Sequence, residues 1–288
     1  ADEYMRYEGR DGRTVIFYCD IDRLEKHLID LAPQDSAAIR AFTRGIRLGI
    51  TLFDQPLESD PALVKLGKGL RQAATFLLRG RELQRTLSTT TEQFVARFKD
   101  PLLRAAFKEL WPPEFSLFFI LGTFAYLHQR HAGYPIGGSL PLSQALEARY
   151  KALGGQVFYG QRVEQILVEN DRAVGVRLSD GTIQRAGRVI SAADGHATIF
   201  DLLGGRYADE KTREPYEKWP IFPSLVYVGV GVNRSFADLP HTVSGYSIPL
   251  RHPQEIGGRR VEQLNVQIFN HDPTLAPPGK TSLTVMLY

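Results

Sequence analysis

The stretch RVEQILVENDRAVGVRLSDG, residues 162–181, gives the clearest indication of the fold. Apolar and polar residues alternate through VEQILVE and VGVRL, as they do in strands with one buried face. The pairs Asn170-Asp171 and Asp180-Gly181 are typical of tight turns between antiparallel strands. The sequence therefore predicts a strand meander, which we expect QVFYG on one side and TIQRAGRVISAAD on the other to extend.

Upstream of this stretch the pattern changes to helices. Residues 134–155 read as a glycine loop followed by a helix that ends at Gly154-Gly155. Residues 23–130 have apolar side chains at helical spacing, with Asp20 and Asp22 as capping residues for the first helix. The chain opens with YMRYEG and RTVIFYCD around Asp11-Gly12, a pattern that predicts a β-hairpin.

Two helical segments allow more than one interpretation. Arg40, Arg44 and Arg47 share one helix face, which is either a solvated surface or a face that rests on anionic lipid, and GKGLRQAATFLLRGRELQRTL has a similar mixture of leucine and arginine. The apolar run at residues 115–127 is either a buried core helix or a wall of an apolar substrate channel or membrane-facing entrance. The aromatic strand around Tyr227 is a second candidate for a channel wall.

Local chemistry also marks helix boundaries and the last strands. Thr89 and Glu92 have capping-box spacing, and Asp100-Pro101 is typical of a helix start. After a short helix at HATIFDLLG, four β-rich runs follow: SLVYVGVGVNRSF, TVSGYSI, VEQLNVQIF and SLTVMLY. The whole chain is therefore predicted to have a mixed α/β fold.

Composition narrows the class of protein. A net charge of +3 over 288 residues, without a clustered basic face, argues against nucleic acid as a partner. The single cysteine, Cys19, cannot form an internal disulfide and suits a reducing cytoplasm. His128 and His131 have no evident third ligand, so we expect no metal site. The longest apolar run is too short to cross a bilayer unaided.

The glycine patterns give limited support for a nucleotide site. The dinucleotide fingerprint G-x-G-x-x-G does not occur, and Gly229-Val-Gly231 lies inside a strand pattern. Gly137-Gly138 is better placed, directly before a helix, where backbone can approach a ligand closely. From spacing alone this pair is either a ligand contact or only a tight turn.

Several segments together resemble one family. Residues 134–181, followed by RVISAADG at 188–195, are similar to the bacterial phytoene desaturase and carotene isomerase group of amine-oxidase-like flavoproteins. DGRTVIFYCDIDRLEKHLIDLAPQD at residues 11–35 and NHDPTLAPPGKTSLTVML at residues 270–287 match the same group. The resemblance covers most of the chain, and residues 40–130 are its least specific part.

The resemblance implies a discontinuous FAD site. It places Val163 near the adenine and Gly137 and Gly138 near the boundary of flavin and substrate. It also places Ser191-Ala192-Ala193-Asp194 at the end of a parallel strand beside the cofactor. Without the resemblance, Val163 and the two alanines would read as ordinary sheet core. The resemblance names no catalytic side chain, because the flavin performs the chemistry.

The resemblance also implies a division into domains. Residues 1–130 and 205–288 would form a substrate domain, and residues 131–204 would form part of an FAD domain. The family's N-terminal fingerprint and its C-terminal flavin segment are not in this sequence. We therefore expect an interior fragment that holds FAD weakly and is inactive alone.

Two functions follow as alternatives. The first is a part of an FAD-dependent oxidoreductase, a desaturase or an isomerase, that acts on an apolar and isoprenoid substrate such as a carotenoid. The second is a cofactor-free protein that binds hydrophobic ligands or membrane surfaces. Both accommodate a cytoplasmic location with peripheral membrane contact, and neither determines the oligomeric state.

Overall fold

The computed structural model describes residues 1–54, 58–131, 133–221 and 224–287. These residues divide into two compact units. The first unit joins residues 1–139 with residues from 225 onward, and the second comprises residues 140–224. Whether these units are the substrate and FAD domains stays a prediction.

The predicted hairpin opens the first unit. Strands β1 (Glu3–Glu8) and β2 (Thr14–Tyr18) pair antiparallel. In the turn, Gly12 has a φ of 81°, which favours glycine, and the Arg13 N–H donates to Asp11 Oδ1 at 3.0 Å. The aspartate and glycine that predicted the turn therefore also form it.

Within the described part of the first unit, six α-helices follow the hairpin, and most begin where the sequence predicts. They are α1 (Ile21–Leu31), α2 (Ser36–Phe53), α3 (Ala62–Ser88), α4 (Thr91–Val95), α5 (Pro101–Lys108) and α6 (Leu117–His128). Asp20 caps α1 and Asp100 caps α5, each by accepting two backbone N–H groups. The predicted capping box at Thr89 and Glu92 is wrong by one residue, because Thr90 and Gln93 form it instead.

A phenylalanine cluster fills the core between these helices and the hairpin. The rings of Phe17, Phe42, Phe98 and Phe107 are buried, and Phe107 lies 4.6 to 5.1 Å from the other three ring centroids. Helix α6 supplies Phe124 to the same cluster. Of the two interpretations of residues 115–127, the structure favours the buried core helix.

The four β-rich runs after residue 224 complete a six-stranded sheet with the hairpin. They form β6 (Val226–Val232), β7 (Tyr246–Ile256), β8 (Arg259–Ile268) and β9 (Thr281–Leu287), whereas strands β3 to β5 belong to the second unit. The strand order is β2-β1-β7-β8-β9-β6. Strands β1 and β7 are parallel and the other neighbours antiparallel. This mixed sheet covered by helices confirms the predicted fold class.

The second unit contains the predicted meander but not all of its strands. Helix α7 (Ser139–Ala152) precedes β3 (Val163–Glu169), β4 (Arg172–Leu178) and β5 (Ile183–Arg185), which pair antiparallel in that order. A π-helical turn (Ala197–Leu202) and α8 (Glu210–Lys218) follow. The predicted strands at QVFYG and at RVISAAD are wrong, since neither segment has a hydrogen-bonded neighbour strand among the described residues.

The basic face on α2 is paired within the protein. Arg47 Nη2 lies 2.6 Å from Asp22 Oδ1 and Arg47 Nη1 lies 3.0 Å from Glu25 Oε2, while Arg40 lies 3.8 Å from Glu25. These pairs tie α2 to α1, while Arg44 on the same face is exposed, and lipid contact by this face stays a prediction. Across the described ranges, no helix combines the length and the apolar character needed to span a bilayer.

Candidate functional site: a cavity on the six-stranded sheet

A cavity of about 590 Å³ lies on one face of the six-stranded sheet in the first unit. Apolar, aromatic and uncharged polar side chains share its wall. They include Tyr134, Tyr227, His241, Thr242, Asn265, Gln267, Phe269, His271, Thr284 and Met286. A mostly apolar cavity with a few polar groups is the usual form of a small-molecule site.

Strand register explains why these residues share a face. Asn265 on β8 is opposite Met286 on β9, and Met286 is opposite Tyr227 on β6. Since side chains alternate along a strand, Gln267 and Thr284, which are also opposite each other, lie on the same face. The Tyr227 hydroxyl donates to Thr284 Oγ1 at 3.1 Å.

Strand β6 adds open space to this face. Its next positions on the Tyr227 side are Gly229, opposite Thr284, and Gly231, opposite Ser282. A Cβ atom built on either glycine meets nothing within 4 Å. The sequence pattern argued against Gly229-Val-Gly231 as a phosphate loop. In the structure, Gly229 and Gly231 leave the face of β6 beside the cavity without side chains.

Aromatic and imidazole rings cluster at another part of the cavity wall. The ring of Tyr134 lies 5.5 Å from His271 and 6.2 Å from Phe269, and His241 lies 6.0 Å from His271. Burial lowers the pKa of His271, and the neighbouring His241 lowers it further. The imidazole of His271 is therefore neutral at neutral pH.

A buried carboxylate next to His271 holds the glycine pair in place. Asp272 accepts the N–H of Gly137 at 2.7 Å and both the N–H and the hydroxyl of Thr274. Hydrogen bonds from Thr274 and from the Gly137 backbone lower the pKa of Asp272. The carboxylate is therefore ionised and accepts hydrogen bonds from Gly137 and Thr274, so it is not a free base for chemistry in the cavity.

The glycine pair itself requires its residue type. Gly137 and Gly138 have φ values of 85° and 84°, in the region that favours glycine. The N–H of Gly138 donates to the carbonyl of Pro135 at 2.9 Å, which closes a tight turn. A Cβ atom on Gly138 would lie 3.2 Å from the Tyr134 hydroxyl, so the turn brings backbone close to a cavity residue.

The other predicted cofactor residues belong to the second unit. Val163 is half-buried and pairs with Leu178, while Ala192, Ala193 and Asp194 are exposed. Asp194 accepts the N–H of Ala197 at 3.0 Å and so begins the π-helical turn. The predicted parallel strand that ends at these residues is absent from the described structure, and their contact with a cofactor stays a prediction.

Sequence reasoning found part of the cavity and missed the rest. Tyr227 was expected to line a substrate channel and does line the cavity, whereas residues 115–127 do not. His271 and Asp272 lie inside the segment 270–287 that supports the family resemblance, but no local pattern distinguished them. Asn265 and Gln267 alternate with apolar residues along β8, and this alternation is the signal that could have placed both side chains on one face of the strand.

Comparison with known proteins gives relatives in the group that the sequence resembles. The chain is 26% identical to phytoene desaturase (lycopene-forming) of Pseudescherichia vulneris, over 98% of this chain and 58% of that protein. It is 34% identical to chloroplastic prolycopene isomerase of Arabidopsis thaliana, over 55% of this chain and 27% of that protein. The predicted resemblance is thus confirmed, and the chain spans just over half the length of the first of these relatives.

The fold and the family agree with these relatives. A crystal structure of an oxidoreductase from Methanosarcina mazei matches 76% of this chain and 51% of its own, with a TM-score of 0.52 and 23% identity. That likeness shows a shared fold. The family described as flavin containing amine oxidoreductase matches residues 16–288. The chain therefore belongs to the flavin containing amine oxidoreductases.

Proposed function

We propose that this chain is part of an FAD-dependent oxidoreductase, a desaturase or an isomerase, that acts on an apolar isoprenoid substrate such as a carotenoid. The observation that supports the proposal most is a mostly apolar cavity of about 590 Å³ in a chain of a flavin-containing family. Two relatives are named as a phytoene desaturase and a prolycopene isomerase, which supports an isoprenoid rather than another apolar substrate.

The residues present fit one part of a flavin site. A Cβ atom at Gly138 would lie 3.2 Å from the hydroxyl of cavity residue Tyr134, so the turn brings backbone close to the cavity wall. Ser191, Ala192 and Ala193 are exposed, have small side chains and have no neighbouring strand among the described residues. Gly137 and Gly138 would approach the flavin through their backbone, and the flavin when bound accepts a hydride or supports isomerisation. For Val163 and Ala192 to Asp194, the family resemblance alone supports a contact with the flavin.

The protein's own residues would orient the substrate and exclude water from it. Phe269, Met286 and Tyr227 offer apolar surface to a long substrate. Among the described residues, no carboxylate lines the cavity, and the nearby Asp272 is bound by Gly137 and Thr274.

A titration of FAD, followed by flavin fluorescence, tests the cofactor residues. We expect this polypeptide to bind FAD no more tightly than roughly millimolar, or about −4 kcal/mol. A longer reading frame that contains this chain should purify with flavin absorbance, which a polyene substrate should bleach without oxygen. In that longer protein, Gly137→Ala should weaken flavin binding, because alanine is strained at a φ of 85°.

A matched glycine provides the control for that variant. Gly154 also has a positive φ, of 89°, but it ends α7 and is exposed. Gly154→Ala should therefore lower stability without changing flavin affinity. A longer protein that purifies folded and without flavin would overturn the proposal.

The surface of α3 supports peripheral contact with an anionic membrane. Leu63, Leu66, Leu70 and Leu77 recur on one face of the helix, and Leu63 and Leu77 remain 83% and 86% exposed. Arginine residues interleave with this leucine face, at positions 71, 81 and 85. An exposed apolar face beside basic residues is the pattern of helices that lie on anionic bilayers.

Sedimentation with lipid vesicles tests this contact. The chain should sediment with vesicles that contain phosphatidylserine and less with vesicles of phosphatidylcholine alone. Leu77→Ser should reduce sedimentation several-fold, whereas Leu146→Ser, at an exposed position of α7, should not. Equal sedimentation of both variants would argue against α3 as the contact surface.

A further inference from the structure

The loop between β8 and β9 holds the turn that leads into α7. Residues 133–138 belong to no helix or strand, so regular secondary structure does not fix their position. Asp272 Oδ2 in this loop accepts the N–H of Gly137 at 2.7 Å. Leu275 lies beside the same turn, since a Cβ atom built on Gly138 would be 3.8 Å from its Cδ2 atom. The loop therefore contacts both glycines of the turn.

The two oxygens of Asp272 have different partners. Oδ1 accepts the N–H of Thr274 at 2.9 Å and the hydroxyl of Thr274 at 2.6 Å, and both bonds are local. Oδ2 accepts the N–H of Gly137, which lies 135 residues away in sequence. Asp272 is only 2% exposed, so water does not readily replace a lost partner. The bond to Gly137 therefore acts on the turn, whereas the bonds to Thr274 stabilise the loop itself.

Two consecutive glycines need such an external contact. Glycine populates positive and negative φ about equally, so neither Gly137 nor Gly138 restricts the turn to the observed values of 85° and 84°. A hydrogen bond to the N–H of Gly137 fixes the orientation of the planar peptide group before it. Gly137 is itself half-buried, so part of its backbone remains open to a ligand.

We propose that Asp272 is a positioning residue for the cofactor, which holds the turn at Gly137 and Gly138 in the conformation that the flavin contacts. This inference rests on the proposed function, which places the flavin at this turn. It adds a carboxylate that acts through the backbone to the groups that determine flavin affinity.

The variant Asp272→Asn separates the two tasks of this carboxylate. Asparagine keeps both bonds to Thr274 when its single oxygen takes the place of Oδ1. Its NH2 group then faces the N–H of Gly137, and two donors cannot form a hydrogen bond. Thr274→Val is the matched control, because it removes one bond to the same carboxylate and leaves the bond to Gly137 intact.

Amide hydrogen exchange in this chain, measured by NMR, tests the effect on the turn alone. The N–H of Gly137 should exchange slowly, because it is bonded to a buried carboxylate. Asp272→Asn should increase its exchange rate by at least about tenfold, whereas Thr274→Val should not. An unchanged rate in Asp272→Asn would overturn the proposal, since the turn would not depend on this carboxylate.

The dissociation constant of FAD in the longer protein, measured by flavin fluorescence, tests the link to the cofactor. Asp272→Asn should raise it about tenfold, or about 1.4 kcal/mol, and Thr274→Val by less than about twofold. Both variants lose one hydrogen bond, so urea unfolding should show similar losses of stability. Combining Asp272→Asn with Gly137→Ala should weaken binding by less than the product of the two single effects, because both substitutions disturb one turn.

Three other results would overturn the inference in different ways. If the longer protein binds FAD and Asp272→Asn and Thr274→Val weaken binding equally, Asp272 affects only stability and the flavin site stands. If the effects of Asp272→Asn and Gly137→Ala are fully additive, Asp272 does not act through this turn. If the longer protein purifies folded and without flavin, the proposed function fails, and the inference fails with it.

Discussion

The two halves of the six-stranded sheet use the same face in different ways. On β1 and β2 this face holds Met5 and Phe17, which are buried under helices and phenylalanine rings. On β8, β9 and β6 the same face holds Asn265, Thr284 and Gly229, and a cavity covers it. One half is packed to stabilise the unit, and the other leaves room for a ligand.

The contrast teaches that side-chain volume, rather than strand geometry, separates the two roles. Both halves have regular antiparallel pairs, and β1 and β7 join them in a continuous sheet. Large rings from the helices fill the space above the first half, whereas the second half, which includes Gly229 and Gly231, leaves a cavity. Substitutions in the two halves should therefore affect different measurements.

The largest expected effect is on stability in the packed half. Phe107→Ala should lower the free energy of unfolding by about 3–5 kcal/mol, because Phe107 is fully buried in contact with the rings of Phe17, Phe42, Phe94 and Phe98. Tyr227→Ala in the cavity half, where the side chain is 60% exposed, should cost less than about 1 kcal/mol. Urea unfolding followed by circular dichroism compares the two, and equal costs would show that the halves do not differ.

The next effect is on binding in the cavity half. Gly229→Leu should fill open space beside Thr284 and weaken Nile red binding by at least about tenfold, or about 1.4 kcal/mol. Stability should stay equal or rise by about 0.5–1 kcal/mol, because glycine is unfavourable inside a strand. Val230→Leu, on the opposite face of β6, is the control. Tight binding to Gly229→Leu would place the ligand elsewhere.

The smallest effect is a pH dependence in the packed half. Burial lowers the pKa of His27, whose Nε2 accepts the Ile16 N–H at 2.9 Å. The unfolded chain therefore binds the proton more readily, so stability is complete above about pH 6.5 and falls as the pH drops through the folded pKa. Unfolding at about pH 7.5 and about pH 5.5 measures this loss. His27→Gln should reduce it, whereas exposed His131→Gln should not.

Local chemistry accounts for what could be predicted from sequence. Asp11-Gly12, Asp20 and Asp100-Pro101 each satisfy backbone groups within a few residues, so their turns and caps form where the pattern places them. The capping box shifted to Thr90 and Gln93 because two overlapping sets of residues have the same spacing, and the contact between Thr90 and Ser116 favours the second.

The missing strands show where local chemistry is not sufficient. QVFYG and RVISAAD have strand-like composition, but a strand also needs a hydrogen-bonded neighbour, and composition does not report one. The cavity, like a strand pairing, depends on segments that are distant in sequence. Tyr134, Thr242, Asn265 and His271 lie far apart in sequence and meet through strand register, which no local pattern in a single sequence determines.

The parallel pairing of β1 with β7 also affects how the chain folds while it is being synthesised. The side chain of Gln263 donates to the carbonyl of Glu8 across 255 residues. Contacts of such high sequence separation form slowly, because closing the long loop costs entropy before any contact is gained. Until the ribosome has synthesised β7, the backbone groups on one edge of β1 stay unpaired, and strands of other chains can bind there. A lower concentration of nascent chains, obtained by weaker induction, should therefore reduce aggregation during expression without changing the stability of the finished protein.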